Sequence, residues 1–147
     1  MIKFTIVTIT YNAADVFMRT ADSVARQTYA AVEHLIIDGA SSDGTQNLAE
    51  EYKKASDAAC NGHEVRIVSE PDKGLYDAMN KGRRLATGDY VCFLNAGDFF
   101  PSADTLDVIA ANARLEECSS EGKPLPGVLY GDTDWVDNDG NYMSRRR

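Results

Sequence analysis

Residues 88–100, GDYVCFLNAGDFF, decide how the rest of the chain is read. The apolar run Tyr90, Val91, Cys92, Phe93 and Leu94 is too short for a helix and reads as a buried strand. It stops abruptly at Asn95, Ala96, Gly97 and Asp98. In open α/β sheets ligands bind outside the carboxyl ends of the strands, so Asp98 stands where a carboxylate can hold a cation against a bound ligand. Taken alone, residues 95–98 also read as a plain turn, because Asn, Gly and Asp dominate turns.

Outward from this stretch, residues 3–10 (KFTIVTIT) are β-branched and apolar and close at Tyr11 and Asn12, which gives a first strand. Residues 15–27 carry Val16, Arg19, Ala21, Val24 and Ala25 at helical spacing, with Asp15 at the positive end of the helix dipole. Residues 32–37 make a second strand ending at Asp38, and the loop GASSDGT leads into a helix over 45–58 with Asp43 or Thr45 as its cap. Residues 64–69 alternate polar and apolar and give a shorter third strand, nearer an edge. Glu70, Pro71, Asp72, Lys73 and Gly74 then force a tight loop, and a helix over 75–86 follows with Gly88 as its terminator. After the opening stretch, Ser102 caps a helix over 103–118, residues 119–127 form a loop, 128–130 a short strand and 133–136 a second extended piece. Asp139 and Gly140 signal a hairpin before Tyr142, and residues 144–147 finish no element. Alternating strands and helices predict an α/β fold: a mostly parallel sheet flanked by helices with right-handed crossovers, in one domain over residues 1–147.

Composition narrows the partners. A chain of 147 residues buries a core without disulfides or metal staples. Its net charge of -8 repels nucleic acid and anionic membranes at long range, so neither is the main partner. A small anion then needs a cation beside it. Cys60, Cys92 and Cys118 are an odd number without Cys-x-x-Cys spacing, which suits a reducing cytoplasm. No leader-like signal opens the chain, and no apolar run approaches the roughly 20 residues of a membrane span.

A parallel sheet would bring four polar clusters to one edge: Thr10, Tyr11 and Asn12; Asp38; Glu70, Asp72 and Lys73; and Asn95 with Asp98. Several carboxylates in one crevice repel a phosphorylated ligand unless a hard divalent cation intervenes, and Mg2+ or Mn2+ takes carboxylate, water and phosphate oxygens together. Lys73, just ahead of a helix start, reads either as a pyrophosphate contact or as a solvated loop lysine. Other chemistries lack their spacing. There is no Gly-x-Gly-x-x-Gly after the first strand, no P-loop, no Gly-x-Ser-x-Gly elbow, and no metal-spaced partner for His34 or His63. Tyr11 and Asn12 stand where a phosphate-receiver domain wants acids. A carboxylate pair for glycoside hydrolysis needs one raised pKa, which a cation-binding cluster opposes.

The phrases TIVTITYN, IIDGASSDGT, SEPDKGLYDAMNKGRRLATGDY and FLNAGD, in this order, resemble glycosyltransferase family 2, and the later YGDTDWVDNDG is also similar. The resemblance implies a Rossmann-like GT-A fold and a nucleotide-sugar donor, usually a uridine diphosphate sugar. It also implies inverting transfer, of hexosyl or N-acetylhexosaminyl type, to an acceptor hydroxyl with Mn2+ or Mg2+. By that match Tyr11 packs against the base with Thr10 and Asn12 beside it, and Asp38 hydrogen-bonds base or ribose. Glu70, Lys73 and Asn95 complete the nucleotide site, and Asp98 binds the metal bridging the donor phosphates. Two departures stand out. The family's Asp-x-Asp motif with a further Asp is here Asn95, Ala96, Gly97 and Asp98, leaving one charge. The family's catalytic base and acceptor pocket lie further along than this chain, with Asp132 and Asp134 the candidates within it. The chain thus looks like the donor-binding half of an enzyme truncated at its C-terminus. Its setting by resemblance is surface polysaccharide or glycan assembly, cytoplasmic or peripheral at the inner membrane face. The alternative is a non-catalytic nucleotide-sugar-binding module. A nucleotidyltransferase is disfavoured because no Gly-rich, Arg-bearing loop follows the first strand.

Overall fold

A computed structural model describes residues 1–146. Four strands, β1 (Phe4–Thr10), β2 (Val32–Asp38), β3 (Glu64–Ser69) and β4 (Tyr90–Phe93), form a parallel sheet in the order β3-β2-β1-β4. Every residue of β1 and β2 is buried, which is why both read as near-continuous β-branched runs: helices cover both faces. Helices α1 (Ala14–Ala25) and α2 (Thr45–Ala59) pack on one face, where Phe17, Ala21, Ala49 and Tyr52 meet Ile36 and Val65. On the other, α3 (Leu75–Leu85) sets Ala78 among Val7, Ile9, Leu35 and Ile37. It lies flush on β1 because position 82 is glycine; a Cβ there would fall 2.4 Å from Val7 Cγ1.

Registry places the functional edge. Thr10 sits opposite Asp38, and Asp38 opposite Ser69, so β1, β2 and β3 end level. Past β4 the chain keeps pairing, with Leu94 N–H donating to Val7 C=O (2.9 Å) and Ala96 N–H to Ile9 C=O (3.1 Å). That puts the 95–98 turn beside Thr10. At the opposite edge a buried lattice closes the sheet. Glu33, fully buried, accepts from Thr5 Oγ1 (2.6 Å), Thr87 N–H (2.9 Å) and Arg66 Nη1 (2.7 Å).

Several expectations are corrected. The helix expected over 103–118 is two, α4 (Thr105–Asn112) and α5 (Leu115–Ser120), hinged at Arg114 with φ of +53°. An unbroken helix would aim Leu115 about 180° away from Leu106; the break lets both be buried. Backbone geometry makes Asp104, not Ser102, the residue before α4, and Gly44 the one before α2, where Asp43 Oδ1 takes the Thr45 N–H (3.0 Å). Gly88 does not end α3, which stops with an extended Ala86; it is glycine because a Cβ would meet Lys3 C=O and Thr5 Oγ1 at 2.7 Å. Strand β4, expected in the core, lies at the sheet edge with Val91 exposed. Residues 128–130 form no strand, and β5 (Thr133–Val136) joins β6 (Tyr142–Arg146) in a separate antiparallel ribbon. Residues 144–146, expected to finish no element, belong to β6; Arg147 lies outside the described residues.

His34 is a core residue, as its lack of metal-spaced partners implied: it is fully buried, with Nε2 2.8 Å from Thr8 Oγ1 and Nδ1 2.8 Å from Tyr52 Oη. Burial, then the charge of His63, pushes its imidazole down to about 3. Between an unfolded value of about 6.5 and about 3, the unfolded chain holds a proton that the folded one lacks. This group alone therefore makes unfolding easier by up to about 1.4 kcal/mol for each pH unit of acidification in that window. Urea titrations at pH 7, 6 and 5 should show it, and a His34→Gln variant should have a flatter profile.

Candidate active site

At the level strand ends a cleft of about 330 Å³ opens between the β1, β3 and β4 loops, lined by Ile9, Thr10, Tyr11, Asp72, Gly74, Leu75, Asn95 and Ala96. Two side-chain oxygens of residues that line it, Thr10 Oγ1 and Asn95 Oδ1, are buried and have no hydrogen-bond partner among the described residues. Buried polar atoms are rarely left so. Tyr11, 66 % exposed as a residue, forms the lip and sets an aromatic side chain at the mouth of a polar cleft. A Cβ on Gly39 would come within 2.9 Å of Asp72 Oδ2 and 3.2 Å of Tyr11 Cδ2, so glycine there lets the lip and the Asp72 carboxylate approach the loop after β2.

The loops are stitched to each other. Asn12, left-handed at φ +46°, accepts Ser42 N–H on Oδ1 (2.8 Å) and gives its own N–H to Ser41 Oγ (2.8 Å). Asp43 Oδ2 takes Ala14 N–H (3.0 Å), and its carboxyl is held below the usual range, first by the Thr45 hydroxyl and then by the Ala14 amide. Asp38 is buried and faces inward, accepting from Ser41 N–H (3.0 Å), Ser41 Oγ and Ser69 Oγ (2.6 Å). It stands at the same edge but shapes the loop after β2 and is not among the cleft-lining residues.

On the far side of the cleft the 95–98 turn carries Asp98. Its carboxylate is exposed, accepts no hydrogen bond from the described residues, and is pushed above the usual value by partial burial. The turn is held from behind by Thr20 of α1, whose hydroxyl donates to Asp98 C=O (2.7 Å) and accepts Gly97 N–H (2.8 Å). Thr20 was not singled out in the sequence; a Thr inside an amphipathic helix has only its place on the apolar face to mark it.

The β3 loop is arranged differently from its raw residue types. Glu70 pairs with Lys81 Nζ (2.8 Å) and does not line the cleft. Lys73 is exposed; its N–H goes to Asp77 Oδ2 (3.0 Å) and Gly74 N–H to Asp72 Oδ1 (2.9 Å), so these amides are already capped. Asp72 is the acid of this loop that reaches the cleft. Its signal was the Pro-Asp-x-Gly pattern, in which Asp bonds the backbone two residues on. Asp134 is gripped by Arg145 through Nε (2.6 Å) and Nη2 (3.0 Å), which holds its carboxyl below the usual range; Asp132 lies 3.7 Å from the same guanidinium. Among the described residues no group of three or more His, Cys, Asp and Glu is gathered for a metal, and no helix is long and apolar enough to cross a membrane.

A parallel sheet between helix layers, with its polar loops gathered at one edge, is the GT-A architecture of nucleotide-sugar transferases. The chain belongs to glycosyl transferase family 2, whose family model matches residues 5–120. It is 41 % identical over 129 residues to a PGL/p-HBAD biosynthesis glycosyltransferase of Mycobacterium bovis, covering 88 % of this chain and 46 % of that protein. To the uncharacterized glycosyltransferase YibD of Escherichia coli it is 32 % identical over 154 residues, covering 91 % of this chain and 43 % of the relative. The chain thus spans under half the length of these curated relatives. Among solved structures, the mannosyltransferase PcManGT from Pyrobaculum calidifontis, in complex with GDP-Man and Mn2+, superposes with TM-score 0.63 at 28 % identity over 71 % of this chain and 30 % of that one. Staphylococcus aureus TarS in complex with UDP-GlcNAc gives 0.64 at 23 % identity over 78 % of this chain and 32 % of its own, a likeness of fold.

Proposed function

We propose that residues 1–147 are the donor-binding portion of a glycosyltransferase that moves a sugar from a nucleotide-diphosphate donor to an acceptor hydroxyl with inversion at the anomeric carbon. One observation carries this: Thr10 and Asn95, each with a buried oxygen that has no partner among the described residues, line one cleft with Tyr11 and Asp72. A nucleoside supplies what they lack, namely a flat base for the ring and N–H and O–H donors for the oxygens. PcManGT, holding GDP-Man and Mn2+ on the same fold, supports the class of donor.

In this reading Tyr11 packs on the base, Thr10 and Asn95 bond base or ribose, and Asn12 and Asp38 set the loops that frame them. The Lys73 ammonium stands by to meet the diphosphate, and Glu70 keeps Lys81 and the loop in place. Asp98 is a lone carboxylate, a donor set that fits a hard cation only where donor phosphates complete the coordination sphere. Mn2+ or Mg2+ so held would stabilise the diphosphate leaving group. Asp134, already bound by Arg145, is a poor base, and no described residue is assigned that role. The free cysteines suit a cytoplasmic setting, and a role in surface-glycan assembly accords with the PGL/p-HBAD biosynthesis name of the mycobacterial relative.

Ligand that binds only the folded state raises apparent stability, by about 2.7 kcal/mol at a hundredfold excess over Kd. Thermal melts with UDP, GDP, dTDP and ADP, each with and without Mn2+, should show the largest shift for UDP with Mn2+. Thr10→Val and Asp72→Ala should each reduce it. No shift with any nucleotide would sink the proposal. Single charge at the turn and an occupied Asp134 favour one second reading, a binding module without turnover; nucleotide bound tightly but never released as diphosphate from a sugar donor would select it.

A further inference from the structure

We propose that Thr20 is a positioning residue that fixes the 95–98 turn and thereby aims Asp98; this rests on the donor-site reading above. The segment from Asn95 to Asp104 runs past α1 as irregular backbone into the start of α4, and backbone polar groups buried there need partners. Helix α1 and the residue just past its C-cap supply them from one stripe, spaced i, i+3, i+7. Thr20 Oγ1 accepts Gly97 N–H (2.8 Å) and donates to Asp98 C=O (2.7 Å). One turn on, Ser23 Oγ accepts Phe100 N–H (3.2 Å). Beyond it, Gln27 Oε1 accepts Leu106 N–H (3.1 Å) while its Nε2 donates to Ser102 C=O (2.7 Å). All three side chains are buried, at 0, 2 and 4 % exposure, and Thr20 and Ser23 share α1 with the buried residues Phe17, Ala21 and Val24.

The rungs are chemically alike but not equivalent. Ser23 and Gln27 hold the chain after the turn, whereas Thr20 holds the two peptide groups that flank the Gly97–Asp98 pair, through Gly97 N–H on one side and Asp98 C=O on the other. Gly97 sits there at φ +102°, a left-handed geometry with many neighbours in conformational space for a glycine. A single hydroxyl that donates and accepts at once picks one of them. With the Asp98 main chain held, its carboxylate moves only about its own side-chain torsions. Valine has the shape of threonine but can neither donate nor accept, so it frees the turn; serine keeps both bonds.

The test has two arms. Amide exchange by NMR on the unliganded protein reads the turn itself: Gly97 N–H should exchange faster in Thr20→Val by about tenfold or more, and return toward wild type in Thr20→Ser. Calorimetry with UDP and GDP, with and without Mn2+, reads the consequence: in Thr20→Val the affinity gained from Mn2+ should fall about ten- to hundredfold, as for supporting partners of metal ligands. Nucleotide affinity without metal should not change, and Thr20→Ser should recover the gain. Ser23→Ala removes a buried hydroxyl from the same stripe and should cost stability while keeping the Mn2+ gain. Thr20→Val with an unchanged Gly97 exchange rate or a wild-type Mn2+ gain overturns the proposal, as does Ser23→Ala losing that gain equally. Wild type that binds neither nucleotide overturns the donor-site reading instead, recognisable because the parent protein fails before any variant is compared.

Discussion

Asp98→Ala is expected to erase the Mn2+-dependent part of UDP binding while leaving the metal-free part in place. The turn offers one carboxylate where the family pattern offers more, since Asn95 and Gly97 stand at the other positions, and among the described residues no group of three or more His, Cys, Asp and Glu is gathered for a metal. With no reserve ligand, loss of that oxygen pair forfeits the cation's hold, and a cation at a diphosphate is worth several kcal/mol, so the expected loss is on the order of a hundredfold or more. Asp98→Asn, which keeps shape and removes charge, should do the same. Acid should mimic both. Partial burial raises the Asp98 carboxyl, so the Mn2+ gain should fade with falling pH sooner than for a free aspartate. The sign for stability is opposite. The folded protein favours the neutral form, so ionisation of Asp98 weakens the fold as pH rises through its raised value. At neutral pH Asp98→Asn should therefore melt no lower than wild type. Titration calorimetry and melting curves on the same samples check both halves, and an undiminished Mn2+ gain in Asp98→Ala removes Asp98 from the site.

Arg66→Ala is expected to destabilise the fold through a buried carboxylate far from the cleft. Glu33 is fully buried and its pKa is lowered: burial alone would raise it, but hydrogen bonds from Thr5, Thr87 and Arg66 outweigh that cost. Removing the guanidinium leaves a buried carboxylate short of its one positive partner, which for a fully enclosed pair costs 3 to 5 kcal/mol. Arg66 is about a third exposed, at 34 %, so solvent already screens it and the expected loss is about 2 to 3 kcal/mol. Linkage supplies a second signature. A carboxyl with a depressed folded pKa contributes stability that is present above its unfolded value and lost as pH falls through the folded one. The gap between wild type and Arg66→Ala should thus be widest at neutral pH and narrow below about pH 4, where Glu33 is protonated in the variant first. Urea unfolding across pH 7 to 3 measures it. A gap independent of pH would mean that Arg66 acts by packing alone.

The four parallel strands, α1, α2 and α3 were legible within a residue or two, because the strands are β-branched, alternating or short apolar runs and each helix opens after a polar loop. What escaped depended on distant partners. The helix over 103–118 carries a good local pattern, and only the need to bury both Leu106 and Leu115 breaks it at Arg114. Gly88 has the position of a helix stop, yet its reason lies in Lys3 and Thr5, more than eighty residues back. At the site, Thr10, Tyr11 and Asn95 could be named from strand ends alone, and the cleft brings them together. Glu70 and Lys73 could not be told from Asp72 by composition, since Lys81 on α3 decides which acid is engaged elsewhere. Thr20 left no trace because a hydroxyl that serves a turn 77 residues away looks, in sequence, like any helix threonine.

The two rims of the sheet have opposite characters, and this sets where the molecule can be remade. At the amino rim, Glu33, Arg66, Thr5 and Thr87 lock one another, so any change there is felt by three neighbours. At the carboxyl rim, loops 39–44, 70–74 and 95–98 contribute none of the buried apolar residues of the core. Swapping those three loops for the equivalents of a relative with another donor should transplant sugar-nucleotide preference onto an intact scaffold.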